Sequence, residues 1–221
     1  MNTRPSASSH EAPAESHERR TQLSRHLGLR EDDALLVIDM QCDFLPGGAL
    51  GVPAGDQVIA PLNSYIDAFA ARDLPIFFTR DWHPQNHCSF ETAGGRWPPH
   101  CVRDTAGAAW APGLRIPRNA RIISKAQEPT AEAYSGFSGT QLLQKLRDLN
   151  VKRVFVGGLA TDYCVHDTVV DARSHGFEVV VLADACRAVN AQPGDETRAI
   201  DDMLAHGAAL LEASQVAPPA S

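Results

Sequence analysis

"VKRVFVGGLATDYCVHDTVVDARSHGFEVVVLAD", residues 151–184, decides the fold. Its ends, "VKRVFVGG" (151–158) and "EVVVLAD" (178–184), are β-branched and almost unbroken in their apolar character, the pattern of strands covered on both faces. Between them, residues 164–175 carry amphipathic helical spacing. Strand, helix and strand in such a short stretch make a βαβ unit, which places its two strands parallel in one sheet.

The same alternation extends outward. "ALLVID" (34–39), "PIFFTRD" (75–81) and "RIISK" (121–125) read as three more strands, and "GAALLEA" (207–213) as a weaker sixth. Helical spacing recurs at 56–72, 140–149 and 195–206. The expected fold class is α/β: an open, mainly parallel six-stranded sheet with helices on both faces. No internal repeat or second domain is visible.

A chain of 221 residues fits one such domain. Residues 1–30 mix Ser, Pro, Ala and alternating charge with no apolar h-region, and read as a disordered extension. Residues 31–215 form the expected domain and 216–221 a tail. The net charge of -7 and the lack of a dense Lys/Arg run argue against nucleic acid and membrane as partners. No apolar run approaches the roughly 18 residues needed to span a bilayer, so the cytoplasm is the expected location. Five scattered cysteines, Cys42, Cys88, Cys101, Cys164 and Cys186, are expected as reduced thiols.

Ligands of open α/β sheets bind beyond the carboxyl ends of the strands. Asp39 ends the first strand, Asp81 the second and Lys125 the third, while the fourth leads to Cys164. A free thiol titrates near 8.5 and attacks only as thiolate. Cys164 opens a helix, whose dipole favours negative charge; Lys125 adds a cation, and Asp39 can take the proton. Alone, each reads as ordinary: a packed thiol, a solvated strand end, a turn former. Together at successive strand ends they read as a nucleophilic Cys-Asp-Lys site.

The insertion at 82–119 is rich in Pro, Gly, His and Trp and lacks periodic pattern. Unstructured loops of that length are usually functional. In "RDWHPQNHCSF" (80–90) and "RWPPHCV" (96–102), Asp81, His83 and His100 form a carboxylate and two imidazoles suited to a metal with open positions. Two rivals use the same region: a closed structural zinc site of His87, Cys88, His100 and Cys101, and a non-haem iron oxygenase, which would leave the cysteine unexplained.

From residue 34 to 211 these motifs resemble the isochorismatase-like superfamily of cysteine hydrolases, and within it the nicotinamidases (pyrazinamidases). "VIDMQCDFLPGGALGVPAGDQVI", "RDWHPQNHCSF", "WPPHC", "SK" at Lys125, "YSGF" and "GLATDYCV" stand in the same order and spacing. The resemblance implies a three-layer isochorismatase-like fold, catalysis by Asp39, Lys125 and Cys164, and one divalent metal on Asp81, His83 and His100. Zinc is the first choice, with iron or manganese as alternatives; His87 stands where some members add a ligand.

It further implies that Phe44, Trp97, Tyr134 and Tyr163 wall a pocket for a flat ring. A cis peptide before Ala160 is implied too, with the Ala160 and Cys164 amides facing an oxyanion. The implied substrates are nicotinamide and pyrazinamide, hydrolysed through a thioester in NAD salvage. Cys42 departs from the family's usual Asn, and Tyr163 from a His found in some members. The alternatives are a relative acting on carbamoyl or ureido compounds and a non-catalytic pyridine-binding protein. A homo-oligomer stays open.

Overall fold

Six apolar runs form six strands: β1 (Asp33–Ile38), β2 (Ile76–Asp81), β3 (Arg121–Lys125), β4 (Arg153–Leu159), β5 (Glu178–Arg187) and β6 (Ala209–Leu211). The structure, a computed structural model, describes Leu23 and residues 27–211. The strands pair in the order β3-β2-β1-β4-β5-β6, every pair parallel. The chain leaves β1 toward β2 on one side and later places β4 on the other. A crevice therefore opens at the carboxyl ends of β1 and β4.

Among the described residues, four α-helices of seven residues or more cover the sheet: α1 (Ile59–Ala70), α2 (Leu142–Asp148), α3 (His166–Ser174) and α4 (Asp195–Ala205). Successive side chains of a strand point to opposite faces. Leu35 and Val37 of β1 pack with Leu62 and Phe69 of α1, whereas Leu36 and Ile38 join a second cluster with Leu142, Leu146, Val169 and Met203. Burial on both faces is why β1 reads as an unbroken apolar run and why the layers number three.

Register sets the functional edge. Ile38 pairs with Gly158, and Asp81 with Lys125, so the residues following β1, β2, β3 and β4 emerge at one level. Gly158 has φ +133°, and a Cβ there would lie 2.1 Å from the Ile38 carbonyl oxygen. Only glycine lets the two strands approach so closely there. At the opposite edge, Asp33 receives two 2.7 Å hydrogen bonds from the Arg153 guanidinium, tying β1 to β4.

The expected elements shift at their ends. The helix expected from Cys164 is preceded by a π-helical turn, Thr161–Val165, and α3 begins at His166. The Val165 N–H reaches back five residues to the Ala160 carbonyl at 3.1 Å, widening the turn that carries Cys164. β5 runs on to Arg187, past the expected stop at Asp184.

Most of the expected N-terminal extension lies outside the described residues, as do residues 212–215 and the tail. Within the described part of that extension, Leu27 and Leu29 are buried in the core on the α1 side. No helix among the described residues is long and apolar enough to cross a membrane.

Candidate active site

Asp39 follows β1 with φ +47°, in the left-handed region. It is fully buried and held by Thr79 of the neighbouring strand: the Thr79 hydroxyl donates to Oδ1 at 2.6 Å, and the Asp39 N–H donates to that hydroxyl at 3.2 Å. Lys125 ends β3, also buried. Its Nζ lies 3.0 Å from Asp39 Oδ2, 2.5 Å from Asp81 Oδ1 and 3.5 Å from Cys164 Sγ, and donates to the Ala133 carbonyl at 3.1 Å. The contact to Asp39 Oδ2 is a fully buried ion pair. Asp39, Asp81 and Cys164 each bring one donor atom to within 4.8 Å of the others.

One cation thus serves two carboxylates and a thiol. Burial alone would push the Lys125 ammonium down, but Asp39 and Asp81 more than offset it and hold it well above the ordinary lysine value. Asp39 is raised, chiefly by burial, with Lys125 opposing and the Asp81 charge adding. Asp81 goes the other way: against its own burial, Lys125 and His83 keep it below the usual carboxylate range. Burial also pushes the Cys164 thiol well up, despite Lys125. Of the two carboxylates beside the thiol, the one whose proton affinity is raised is Asp39.

Asp81 divides its two oxygens between two groups. Oδ1 faces Lys125, and Oδ2 lies 3.5 Å from His83 Nε2 and 4.0 Å from His100 Nε2. Both imidazoles place Nδ1 against a backbone carbonyl, Ala126 at 3.3 Å and Pro98 at 2.8 Å. That contact puts the proton on Nδ1 and leaves the Nε2 lone pair free, the arrangement of metal-binding histidines. Burial lowers the His100 pKa, favouring the neutral ligand form. His83 Nε2 is buried with no hydrogen-bond partner among the described residues, a cost that a metal ion would remove. The donor set fits a divalent cation.

His87 does not share that geometry. Its Nδ1 is 2.7 Å from the Ser89 hydroxyl and its Nε2 3.1 Å from the Ala131 carbonyl, so both ring nitrogens are occupied. It packs against His83 instead, with the rings tilted by 35° and their centroids 4.3 Å apart. Among the described residues, the rival zinc set of His87, Cys88, His100 and Cys101 does not converge; the donor groups that do are Asp81-His83-His100 and Asp39-Asp81-Cys164.

Above these donors opens a cleft of roughly 540 Å³, counting its open mouth. Phe44, Trp97, Tyr134, Ala160 and Tyr163 line it together with Asp81, His83, His100 and Cys164, whereas Asp39 and Lys125 lie beneath Cys164. The Trp97 indole N–H donates to the Tyr134 hydroxyl at 2.9 Å, and the Tyr163 ring meets Trp97 edge-on at 5.6 Å. The Leu159–Ala160 peptide is cis.

Several partners were not foreseen. Thr79 sits inside an apolar strand, and a buried hydroxyl there needs a partner, a signal the sequence did offer. Gln41 grips the Asp81 backbone: its Oε1 accepts the Asp81 N–H at 2.8 Å, and its Nε2 donates to the Asp81 carbonyl at 2.9 Å. Ser89, Glu132 and Val189 also line the cleft, and nothing in their sequence context marks them.

Comparison with known proteins follows the same lines. A family model described as "Isochorismatase domain" matches residues 33–215. The nicotinamidase of Escherichia coli is 39% identical over 198 residues, covering 80% of this chain and 93% of its own. The pyrazinamidase of Pyrococcus horikoshii, solved in complex with zinc, superposes with a TM-score of 0.79 at 50% identity, covering 82% of this chain and 99% of that one. PnC1 of L. infantum, solved in complex with nicotinate, gives a TM-score of 0.78 at 38% identity over 85% of this chain and 96% of that one.

Proposed function

From the premise that the chain belongs to the isochorismatase domain family, we propose that its cleft hydrolyses the carboxamide of nicotinamide to nicotinate and ammonia. The protein is a metal-dependent nicotinamidase of the cysteine-hydrolase type, and pyrazinamide is its second substrate. The carrying observation is the convergence of a buried thiol, carboxylate and ammonium with a separate metal-donor triad under one aromatic-walled cleft.

Cys164 is the nucleophile. As Sγ attacks the carboxamide carbon, its proton passes to Asp39, and the new oxyanion accepts hydrogen bonds from the Ala160 and Cys164 backbone N–H groups. Lys125 offsets the charge on thiolate and carboxylate. Protonated Asp39 then gives its proton to the leaving nitrogen, ammonia departs and a thioester remains. A water, deprotonated by the same carboxylate, adds to the thioester carbon; the C–S bond breaks, nicotinate forms and the thiol regains its proton.

Asp81, His83 and His100 would hold the divalent metal, zinc ahead of iron or manganese. When bound, it supplies a Lewis acid toward a ring nitrogen of the substrate. Trp97, Tyr134, Tyr163 and Phe44 hold the ring and exclude water. All five cysteines are unpaired, which supports placing the protein in a reducing cytoplasm.

The test is incubation of purified, metal-analysed protein with nicotinamide, quantifying ammonia and nicotinate. Equal release of the two is expected, and pyrazinamide should likewise yield pyrazinoate. No release by metal-loaded protein would overturn the substrate assignment.

A further inference from the structure

The cleft's aromatic wall is assembled from parts that do not share an element. Trp97 comes from the insertion, Tyr134 follows β3, and Tyr163 rides on the turn that presents Cys164. The indole N–H of Trp97 ties the first two. We infer that Arg96 ties in the third and is a positioning residue for substrate binding, a role that rests on the nicotinamidase reading.

The Arg96 guanidinium carbon lies 4.3 Å from the Trp97 ring centroid and 5.9 Å from that of Tyr163, both within cation–π reach. Its Nη2 also donates to the Tyr163 hydroxyl at 3.3 Å, the hydrogen bond of that hydroxyl among the described residues. A single exposed side chain thus clips the insertion to the nucleophile's turn.

The backbone carrying Arg96 is itself fixed. The Gly95 N–H donates to the Phe90 carbonyl at 2.8 Å and the Trp97 N–H to the Ser89 carbonyl at 3.0 Å. At Gly95 a Cβ would lie 2.1 Å from the Ser89 carbonyl carbon, so this segment packs directly on the backbone of residue 89. Arg96 therefore projects from a rigid base, and the clip constrains Tyr163 rather than drifting with it. Its chemical consequence is the width of the slot that accepts a flat, neutral ring. It touches neither the thiol nor the metal donors, so binding should depend on it more than the chemical step does.

The experiment uses the full, metal-loaded chain: wild type, Arg96→Ala, Arg96→Lys, Tyr163→Phe and the Arg96→Ala/Tyr163→Phe double variant. Arg96→Ala should raise KM for nicotinamide about fivefold while kcat changes little, the size expected for one exposed cation–π contact plus one hydrogen bond. Arg96→Lys, which keeps charge and donor, should recover most of the loss. The double variant should be far less impaired than the product of the two single effects. Calorimetric titration with nicotinamide of the same variants in a Cys164→Ala background should read the same loss without turnover. An unchanged KM and Kd in Arg96→Ala, or single effects that simply multiply, would overturn the clip. Wild type that binds nicotinamide without hydrolysing it would overturn the catalytic reading alone, with the titration still deciding the role of Arg96; wild type that does not bind it would overturn both.

Discussion

The sheet edge and the insertion supply the two halves of one site, and they do so by different means. Asp39, Lys125 and Cys164 are placed by strand register: Ile38 opposite Gly158 and Asp81 opposite Lys125 fix their levels to within a residue. His83, His100 and Trp97 belong to a segment with no α-helix and only isolated bridges, His83 with Val102 and Phe90 with Trp97. What orders them is hydrogen bonding outside regular elements: the Trp97 N–H to the Ser89 carbonyl, His83 to Ala126, His100 to Pro98, and Asp43 Oδ2 accepting the Cys101 N–H at 2.7 Å. Register gives the proposed nucleophile a rigid seat; a stitched loop gives the proposed binding half, which can be altered without collapsing the sheet. Asp81 joins the halves, with one oxygen facing each.

If this division holds, the largest loss comes from the sheet edge. Asp39→Asn keeps the shape but cannot shuttle a proton, and kcat should fall about a thousandfold with little change in KM, measured by ammonia release. A mild effect would move the proton transfer elsewhere. In the insertion, His100→Ala should release metal on dialysis and raise KM, with metal affinity falling by more than the roughly hundredfold upper bound for losing only a ligand's outer partner. Full metal content after dialysis would break the proposed donor set.

Away from both halves, Arg153→Ala removes the pair that ties β1 to β4 at their amino ends. Asp33 is fully buried, but the Arg30 N–H still donates to it at 2.6 Å. The loss should therefore be about 2–3 kcal/mol, at or below the range for breaking a buried pair. It should appear as a lower Tm with unchanged turnover at 25 °C. A loss of activity there would mean that the sheet's two edges are coupled.

The smallest effect concerns His166. Its hydrogen bond to Asp167 raises its pKa above 6.5, partial burial opposes this, and Asp202 at 2.8 Å adds to it. A raised folded value stabilises the fold fully below about pH 6.5, and that contribution is lost as pH rises through the folded pKa. Because both carboxylates are more than a third exposed to solvent, the gain should be no more than about 1 kcal/mol. Tm of wild type minus that of His166→Gln should shrink from pH 6 to pH 9; a constant difference would contradict the pairing.

The same contrast explains what was legible in the sequence. Strands buried on both faces declare themselves by unbroken apolar runs, and the reactive residues that end them, Asp39, Asp81 and Lys125, follow from topology alone. The π-helical turn at Thr161–Val165 was not legible, because helical spacing begins before the α-helix does. Nor was the competition of Asp39 and Asp81 for Lys125, which depends on a register that no single strand encodes. The status of His87 needed its two hydrogen bonds, since an imidazole's sequence position does not say which of its nitrogens is free. Gln41 and Arg96 act through geometry between distant segments, and no motif announces such contacts.

The proposed chemistry rests most directly on Cys164. Wild type and Cys164→Ala, both analysed for metal, are incubated with nicotinamide while nicotinate is followed and binding is measured by calorimetry. The expected result is sustained release by wild type and, in the variant, a loss of about 10⁴-fold or more with nicotinamide still bound. Multiple turnovers by Cys164→Ala at a rate near that of wild type would contradict the nucleophile and the thioester with it.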